Sequence, residues 1–108
     1  YTDGSRDTFN VEKALVSVGR VANIEDLWDD KVGINITKRG IDNKDTQTNV
    51  SNIYAVGDLT ADISLVNVGE LEGRYAVEKI FGHPDRKLVY ENISTIMFLN
   101  PEVAGVGM

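Results

Sequence analysis

The sequence predicts a small α/β protein in which one amphipathic helix accompanies short apolar strands. Residues 11–18 change from polar to almost wholly apolar, and residues 53–56 and 95–99 are two further short apolar runs. Such runs are typical of buried strands. Apolar residues recur at helical spacing between residues 65 and 81, which predicts the main helix. The 108 residues allow one small domain at most.

Each predicted strand has a boundary signal. Residues 11–18 end at Gly19-Arg20, and residues 95–99 lead into Asn100-Pro101. Residues 53–56 are closed by Gly57-Asp58, which predicts a buried parallel strand that leads into a loop.

The segment between these strands carries weaker signals. Residues 23–28 predict a short helical turn with Asn23 as its cap. Residues 32–37 alternate apolar and polar before a turn at residues 38–40. Residues 41–50 are polar enough to predict an exposed hairpin arm or loop.

The predicted helix contains two glycines and a clear end. Gly69 and Gly73 lie four residues apart, and each costs about 1 kcal/mol relative to Ala, which indicates a close approach on that face. Gly82 followed by His83-Pro84 predicts the end, with Gly82 in the left-handed conformation.

Composition excludes several functions. With 11 Lys+Arg against 17 Asp+Glu, the net charge is −6, so we expect no nucleic-acid partner and no anionic membrane surface as partner. No apolar run approaches the ~20 residues of a membrane span. The absence of cysteine excludes disulfides, thiolate metal sites and a cysteine nucleophile within these residues. His83, the only histidine, is expected in an exposed loop, and no metal site is predicted.

A candidate site lies where the second apolar run ends. Gly57 would let a ligand approach the backbone, and the Asp58 carboxylate could accept hydrogen bonds from ligand hydroxyls. The free N–H groups of the helix beginning near Ser64-Leu65 could hold a ribityl or phosphate oxygen. This is a nucleotide-cofactor arrangement, although a lone Gly-Asp pair more often only caps a turn.

Three segments in order carry a resemblance to a known family. They read ALVSVGRxxN at residues 14–23, TxxxxIYAVGD at residues 48–58 and NPEVAGVG at residues 100–107. Together they resemble the flavin-dependent pyridine nucleotide-disulfide oxidoreductases. The first is similar to the family's crossover between its NAD-binding and FAD domains, the second to its second FAD fingerprint, and the third to the entry into its dimerisation domain.

The resemblance implies a set of FAD-binding residues. Asp58 would hydrogen-bond the flavin ribityl chain, and Gly57 would give it room. The helix start would contact the flavin pyrimidine edge and ribityl oxygens through its backbone. The full set of implied cofactor-binding residues is Gly19, Arg20, Gly57, Asp58, Ser64, Leu65, Val66 and Asn67.

The subfamily stays open. Ser64 and the triplet Glu72-Gly73-Arg74 are similar to soluble transhydrogenases, and Asn67 replaces the histidine that is usual in dihydrolipoamide dehydrogenases. Ala22 and Gly69 also depart from the usual pattern of the family.

The resemblance also implies a domain organisation. Residues 1–23 would end the NAD(P)-binding domain and form the crossover, and residues 24–85 would form the C-terminal part of the FAD-binding domain. Residues 86–108 would begin the dimerisation domain. The expected fold is thus the second part of a Rossmann-like FAD/NAD(P)-binding domain with short antiparallel strands, plus the start of an α+β dimerisation domain.

The implied function is electron transfer between NAD(P)H, FAD and a disulfide or second nicotinamide substrate, in a cytoplasmic homodimer. The family's catalytic residues would lie outside these 108 residues, so the chain is expected to be an internal segment that is inactive alone. The alternative is a non-catalytic scaffold or interaction module that retains the flavoprotein fold without flavin.

Overall fold

A computed structural model of the chain describes residues 2–60, 62–82 and 87–107. In this part it contains two 3₁₀ helices, one α-helix and one two-stranded antiparallel sheet. The 3₁₀ helices are Asp30–Val32 and Gly57–Leu59; the α-helix is α1, Val66–Phe81; the strands are β1, Ser94–Met97, and β2, Val103–Val106. A small α/β arrangement is therefore confirmed.

Helix α1 confirms the main helix predicted from the apolar spacing. Its inward face buries Val68, Glu72 and Ala76, which follow one another at intervals of four residues. At its C-terminal end the Lys79 ammonium donates a hydrogen bond to the Asp45 carbonyl at 3.0 Å. Gly82 has φ 178°, so the expected left-handed conformation is wrong and the chain leaves the helix in extended form. His83 and Pro84 lie outside the described residues.

Strands β1 and β2 form a hairpin after the helix. Ser94 pairs with Val106 and Met97 pairs with Val103. The strand predicted at residues 95–99 is confirmed, although it begins one residue earlier and ends two residues earlier. Both faces of this hairpin are exposed.

The segment from residue 36 to residue 60 is held by single bridges instead of long strands. These bridges join Ile36 with Ile41, Ile41 with Thr60, Lys44 with Gln47, and Gln47 with Tyr54. The exposed loop predicted at residues 41–50 is wrong in part, because Ile41, Thr46 and Thr48 are buried there. Ile41 lies between two segments, and its backbone forms bridges with Ile36 and Thr60. The Thr48 hydroxyl compensates its burial by donating to the Ile53 carbonyl.

Two predicted strands do not form. Residues 53–56 contain one antiparallel bridge, at Tyr54, and only Ala55 among them is buried. Residues 11–18 contain no strand and are exposed, with Leu15 at 93% and Val18 at 91% exposure. The physical reason is the same for both runs, since a parallel strand needs neighbouring strands and the described residues provide a single parallel bridge.

The short helical turn expected at residues 23–28 is also wrong. Asp26 there has φ 57°, in the left-handed region, and residues 25–28 form a non-helical turn. The nearest helical turn is Asp30–Val32, where the Asp29 carboxylate accepts a hydrogen bond from the Lys31 N–H at 2.9 Å. The helix cap is therefore Asp29, six residues after Asn23, the cap predicted from the sequence.

The chain exposes more surface than a compact domain of its size. Its accessible surface is 9521 Å², whereas a compact monomer of this mass exposes roughly 6,000 Å². Its radius of gyration is 18.5 Å, against about 13 Å for a compact domain of this length. The excess includes large apolar side chains in the first twenty-one residues, namely Phe9, Val11, Leu15, Val16, Val18 and Val21.

Candidate functional site

The turn at Gly57–Leu59 is the centre of the predicted site. Val56 is extended, and Gly57 then takes φ 71°, which starts the 3₁₀ helix and reverses the chain. The Gly57 carbonyl accepts hydrogen bonds from the Thr60 N–H and the Thr60 hydroxyl, both at 3.0 Å. The conformation of Gly57 therefore fixes the beginning of the turn, and the hydrogen bonds from Thr60 fix its end.

This turn packs directly against α1. A Cβ atom built on Gly69 would lie 3.3 Å from the Gly57 Cα, which is tighter than an ordinary contact. The close approach predicted from the helix glycines is thus confirmed at Gly69. It is wrong at Gly73, where a Cβ would meet nothing within 4 Å among the described residues.

Asp58 presents its carboxylate towards an open cleft. It forms an ion pair with the Arg20 guanidinium, with 3.8 Å between Nη2 and Oδ2. Both side chains are more than half exposed, so this ion pair contributes only about 0–1 kcal/mol. The carboxylate is therefore free to exchange Arg20 for hydroxyl donors of a ligand.

The cleft beside Asp58, called here the Asp58 cleft, has an empty volume of about 510 Å³. Arg20, Arg39 and Ser64 line it together with Asp58. Three of the sequence-predicted site residues therefore meet in one place. Gly19 is not among the lining residues, although it has φ 118° and directly precedes Arg20.

Three more of the predicted residues line a second cleft, at the start of α1, whereas Gly57 lines neither cleft. Leu65, Val66 and Asn67 form one wall of an open space of about 760 Å³, and β1 forms the opposite wall through Ser94 and Ile96. The Asn67 amide donates a hydrogen bond to the Ser94 carbonyl at 2.9 Å. Six of the eight predicted residues are thus divided between two clefts at the junction of Ser64 and Leu65.

One functional candidate was missed by sequence reasoning. Glu72 is 1% exposed, and its carboxylate accepts a 2.6 Å hydrogen bond from the Gly57 N–H and a 2.9 Å hydrogen bond from the Tyr90 hydroxyl. These two bonds compensate the cost of burying a carboxylate. The signal was present in the sequence, since Glu72 lies four residues from both Val68 and Ala76 on the apolar face of the helix.

The buried Glu72 carboxylate affects the pKa of Tyr90. Burial of the hydroxyl, and then its hydrogen bond to Glu72 and the negative charge there, raise the pKa of Tyr90 above its usual value. The tyrosine therefore stays protonated and donates to Glu72 over the whole physiological pH range.

Two other kinds of site are absent from the described part of the chain. No group of three or more His, Cys, Asp or Glu side chains there could hold a metal ion. No helix there is both long enough and apolar enough to cross a membrane.

Comparison with known proteins decides the family. The family model described as "Pyridine nucleotide-disulphide oxidoreductase" matches residues 1–73, about two thirds of the chain. The chain belongs to this oxidoreductase family. The matched part of this family member includes the Asp58 cleft, the start of α1 and Glu72, while β1 and β2 follow it.

Individual relatives agree with this assignment. The chain is 40% identical over 106 residues to a dihydrolipoyl dehydrogenase of Bacillus subtilis, covering 96% of the chain and 22% of that protein. It is 37% identical over 107 residues to a dihydrolipoyl dehydrogenase of Geobacillus stearothermophilus, covering 97% and 23%. It is 34% identical over 106 residues to a glutathione reductase of Nostoc, covering 87% and 23%. The chain thus spans less than a quarter of the length of these curated relatives.

Proposed function

We propose that this chain forms part of the FAD-binding region of a flavoprotein oxidoreductase that transfers electrons between NAD(P)H, FAD and a disulfide. The observation that carries the proposal is the half-exposed Asp58 carboxylate, held on a tight turn beside a cleft that Arg20 and Ser64 also line. These groups fit the cofactor chemically. A carboxylate accepts hydrogen bonds from ribityl hydroxyls, and a guanidinium pairs with phosphate.

Each residue would have a defined task. Asp58 would bind the ribityl hydroxyls, and Gly57, which has φ 71°, would let the backbone lie close to the cofactor. Arg20 would leave its weak pair with Asp58 and bind negative charge, and the backbone N–H groups of Leu65, Val66 and Asn67 would contact the flavin edge. When bound, the flavin supplies the hydride acceptor, so the protein's contribution here is binding and orientation.

The relatives favour a dihydrolipoamide dehydrogenase-like enzyme as the whole protein. By analogy with these relatives, we propose for the whole protein the substrate of such an enzyme, the use of NAD(P), a homodimeric state and a cytoplasmic location. In the same proposal residues 1–23 end the NAD(P)-binding domain, residues 24–85 belong to the Rossmann-like FAD-binding domain, and residues 86–108 begin the dimerisation domain. The exposed apolar side chains of residues 9–21 support this view, because they would be covered by such neighbouring domains.

The test is FAD binding by the complete gene product, with and without the Asp58 carboxylate. We expect Asp58→Ala to weaken FAD binding about tenfold to hundredfold, because a hydrogen bond to a charged group contributes roughly 1.5–3 kcal/mol. Affinity is measured by adding FAD to the apoprotein and following flavin fluorescence. Glu25→Ala, which removes an exposed carboxylate elsewhere, is the matched control and should bind like the wild type.

Two results would contradict the proposal. Unchanged FAD affinity in Asp58→Ala would remove the ribityl assignment. A wild-type gene product that binds no FAD, examined by native mass spectrometry, would favour the non-catalytic scaffold instead.

A further inference from the structure

We propose that Glu72 is a positioning residue that sets, through the Gly57 N–H, the direction in which Asp58 presents its carboxylate to the cofactor. This inference rests on the proposed function, since it concerns how the FAD-binding turn is held. Glu72 lines neither of the two clefts, and it acts through its hydrogen bonds with the Gly57 N–H and the Tyr90 hydroxyl.

The first step is the burial of Glu72 on the packed face of α1. Glu72 is 1% exposed and lies in the row formed with Val68 and Ala76. A buried carboxylate is costly unless hydrogen bonds satisfy it, and both of its oxygens have partners. Its location is therefore defined by these two bonds.

The second step leads from Glu72 to Asp58. The 2.6 Å bond to the Gly57 N–H fixes the Val56–Gly57 peptide, one peptide before that of Asp58, and the Gly57 backbone packs closely against Gly69 of the helix. Among the described residues, the one ion pair of the Asp58 side chain is the weak and exposed one with Arg20. The direction of the Asp58 Cα–Cβ bond, from which the carboxylate projects, is therefore set by the turn whose first residue Glu72 holds.

The third step is the anchoring of Glu72 from the other side. The Tyr90 hydroxyl binds Oε1 at 2.9 Å, while the Gly57 N–H binds Oε2. Tyr90 belongs to the segment that leads into β1, so three parts of the chain converge on one carboxylate. Rotation of the carboxylate away from Gly57 would also break the tyrosine bond.

The experiment separates the reach of the side chain from its charge. In the complete gene product, Glu72→Gln keeps the length and can accept from Gly57 while its amide N–H₂ donates to the Tyr90 oxygen. Glu72→Asp keeps the charge but is one methylene too short, and Glu72→Ala removes both. Glu78→Ala, an exposed glutamate of the same helix, is the control. The readouts are the FAD dissociation constant and the visible circular dichroism band of the bound flavin.

We expect Glu72→Gln and Glu78→Ala to remain within about threefold of wild-type affinity, and Glu72→Asp and Glu72→Ala to bind FAD at least about tenfold more weakly. The flavin band should change in the two weak variants only. Wild-type affinity and an unchanged band in Glu72→Asp and Glu72→Ala would overturn the inference. Wild-type behaviour of Glu72→Asp with loss in Glu72→Gln would also overturn it, because charge rather than reach would then matter.

A measurement on the unaltered protein guards against variants that do not fold. Amide hydrogen exchange at Gly57 should be slow in the wild type, because this N–H is bound to a buried carboxylate. Exchange as fast as that of an exposed loop amide would overturn the inference. Asp58→Ala separates the two proposals. If Asp58→Ala retains FAD, the proposed function fails. If Asp58→Ala loses FAD while Glu72→Asp retains it fully, only the role of Glu72 is refuted.

Discussion

At the scale of single residues, Thr46 carries the clearest local strain. Asp45 and Thr46 have φ values of 50° and 69° and form a two-residue turn closed by hydrogen bonds between Lys44 and Gln47. Such a turn favours Asn-Gly, because a β-branched residue with positive φ is strained. Thr46 is also 2% exposed, and its hydroxyl oxygen has no hydrogen-bond partner among the described residues.

Replacing Thr46 by glycine should therefore stabilise the protein. Release of strain contributes about 1–2 kcal/mol and removal of an unpaired buried hydroxyl about 1–3 kcal/mol. Loss of the buried methyl group and the extra backbone freedom of glycine offset about 2 kcal/mol of this. We expect Thr46→Gly to raise the free energy of unfolding by about 1 kcal/mol in denaturant titrations. Thr46→Ser, which keeps the hydroxyl, should gain less, and a less stable glycine variant would contradict the argument.

At the scale of elements, the two glycines of α1 offer a matched comparison. Alanine at Gly73 meets nothing within 4 Å in the described structure, so Gly73→Ala should gain the helix-propensity difference of about 1 kcal/mol. Alanine at Gly69 has the same propensity gain but pushes against the Gly57 backbone at 3.3 Å. Thermal unfolding should therefore show stabilisation by Gly73→Ala and little gain or a loss by Gly69→Ala. Equal stabilisation by both would mean that the turn does not press on the helix.

The elements also differ in how far the sequence could predict them. Helix α1 was predictable because its apolar spacing is a local property that the chain satisfies by itself. Residues 11–18 were not, because a strand exists only when a neighbour provides hydrogen bonds, and apolar composition does not supply one. Asp58 and Arg20 were found through motifs, and the structure brings them within 3.8 Å. Glu72 was missed because a glutamate on a helix is normally solvated, and only its spacing from Val68 and Ala76 indicated otherwise.

At the scale of the whole molecule, the first twenty-one residues decide how the chain behaves in solution. Leu15 and Val18 are more than 90% exposed, and an apolar surface of this kind associates with whatever can cover it. We therefore expect the 108-residue chain, produced alone, to self-associate and to bind a hydrophobic dye, as measured by light scattering and dye fluorescence. The double variant Leu15→Lys/Val18→Lys should associate less while keeping the helical signal, since α1 does not depend on these side chains. A compact wild-type monomer with a radius of gyration near 13 Å would contradict this expectation, because the apolar segment would then have to fold back onto the same molecule.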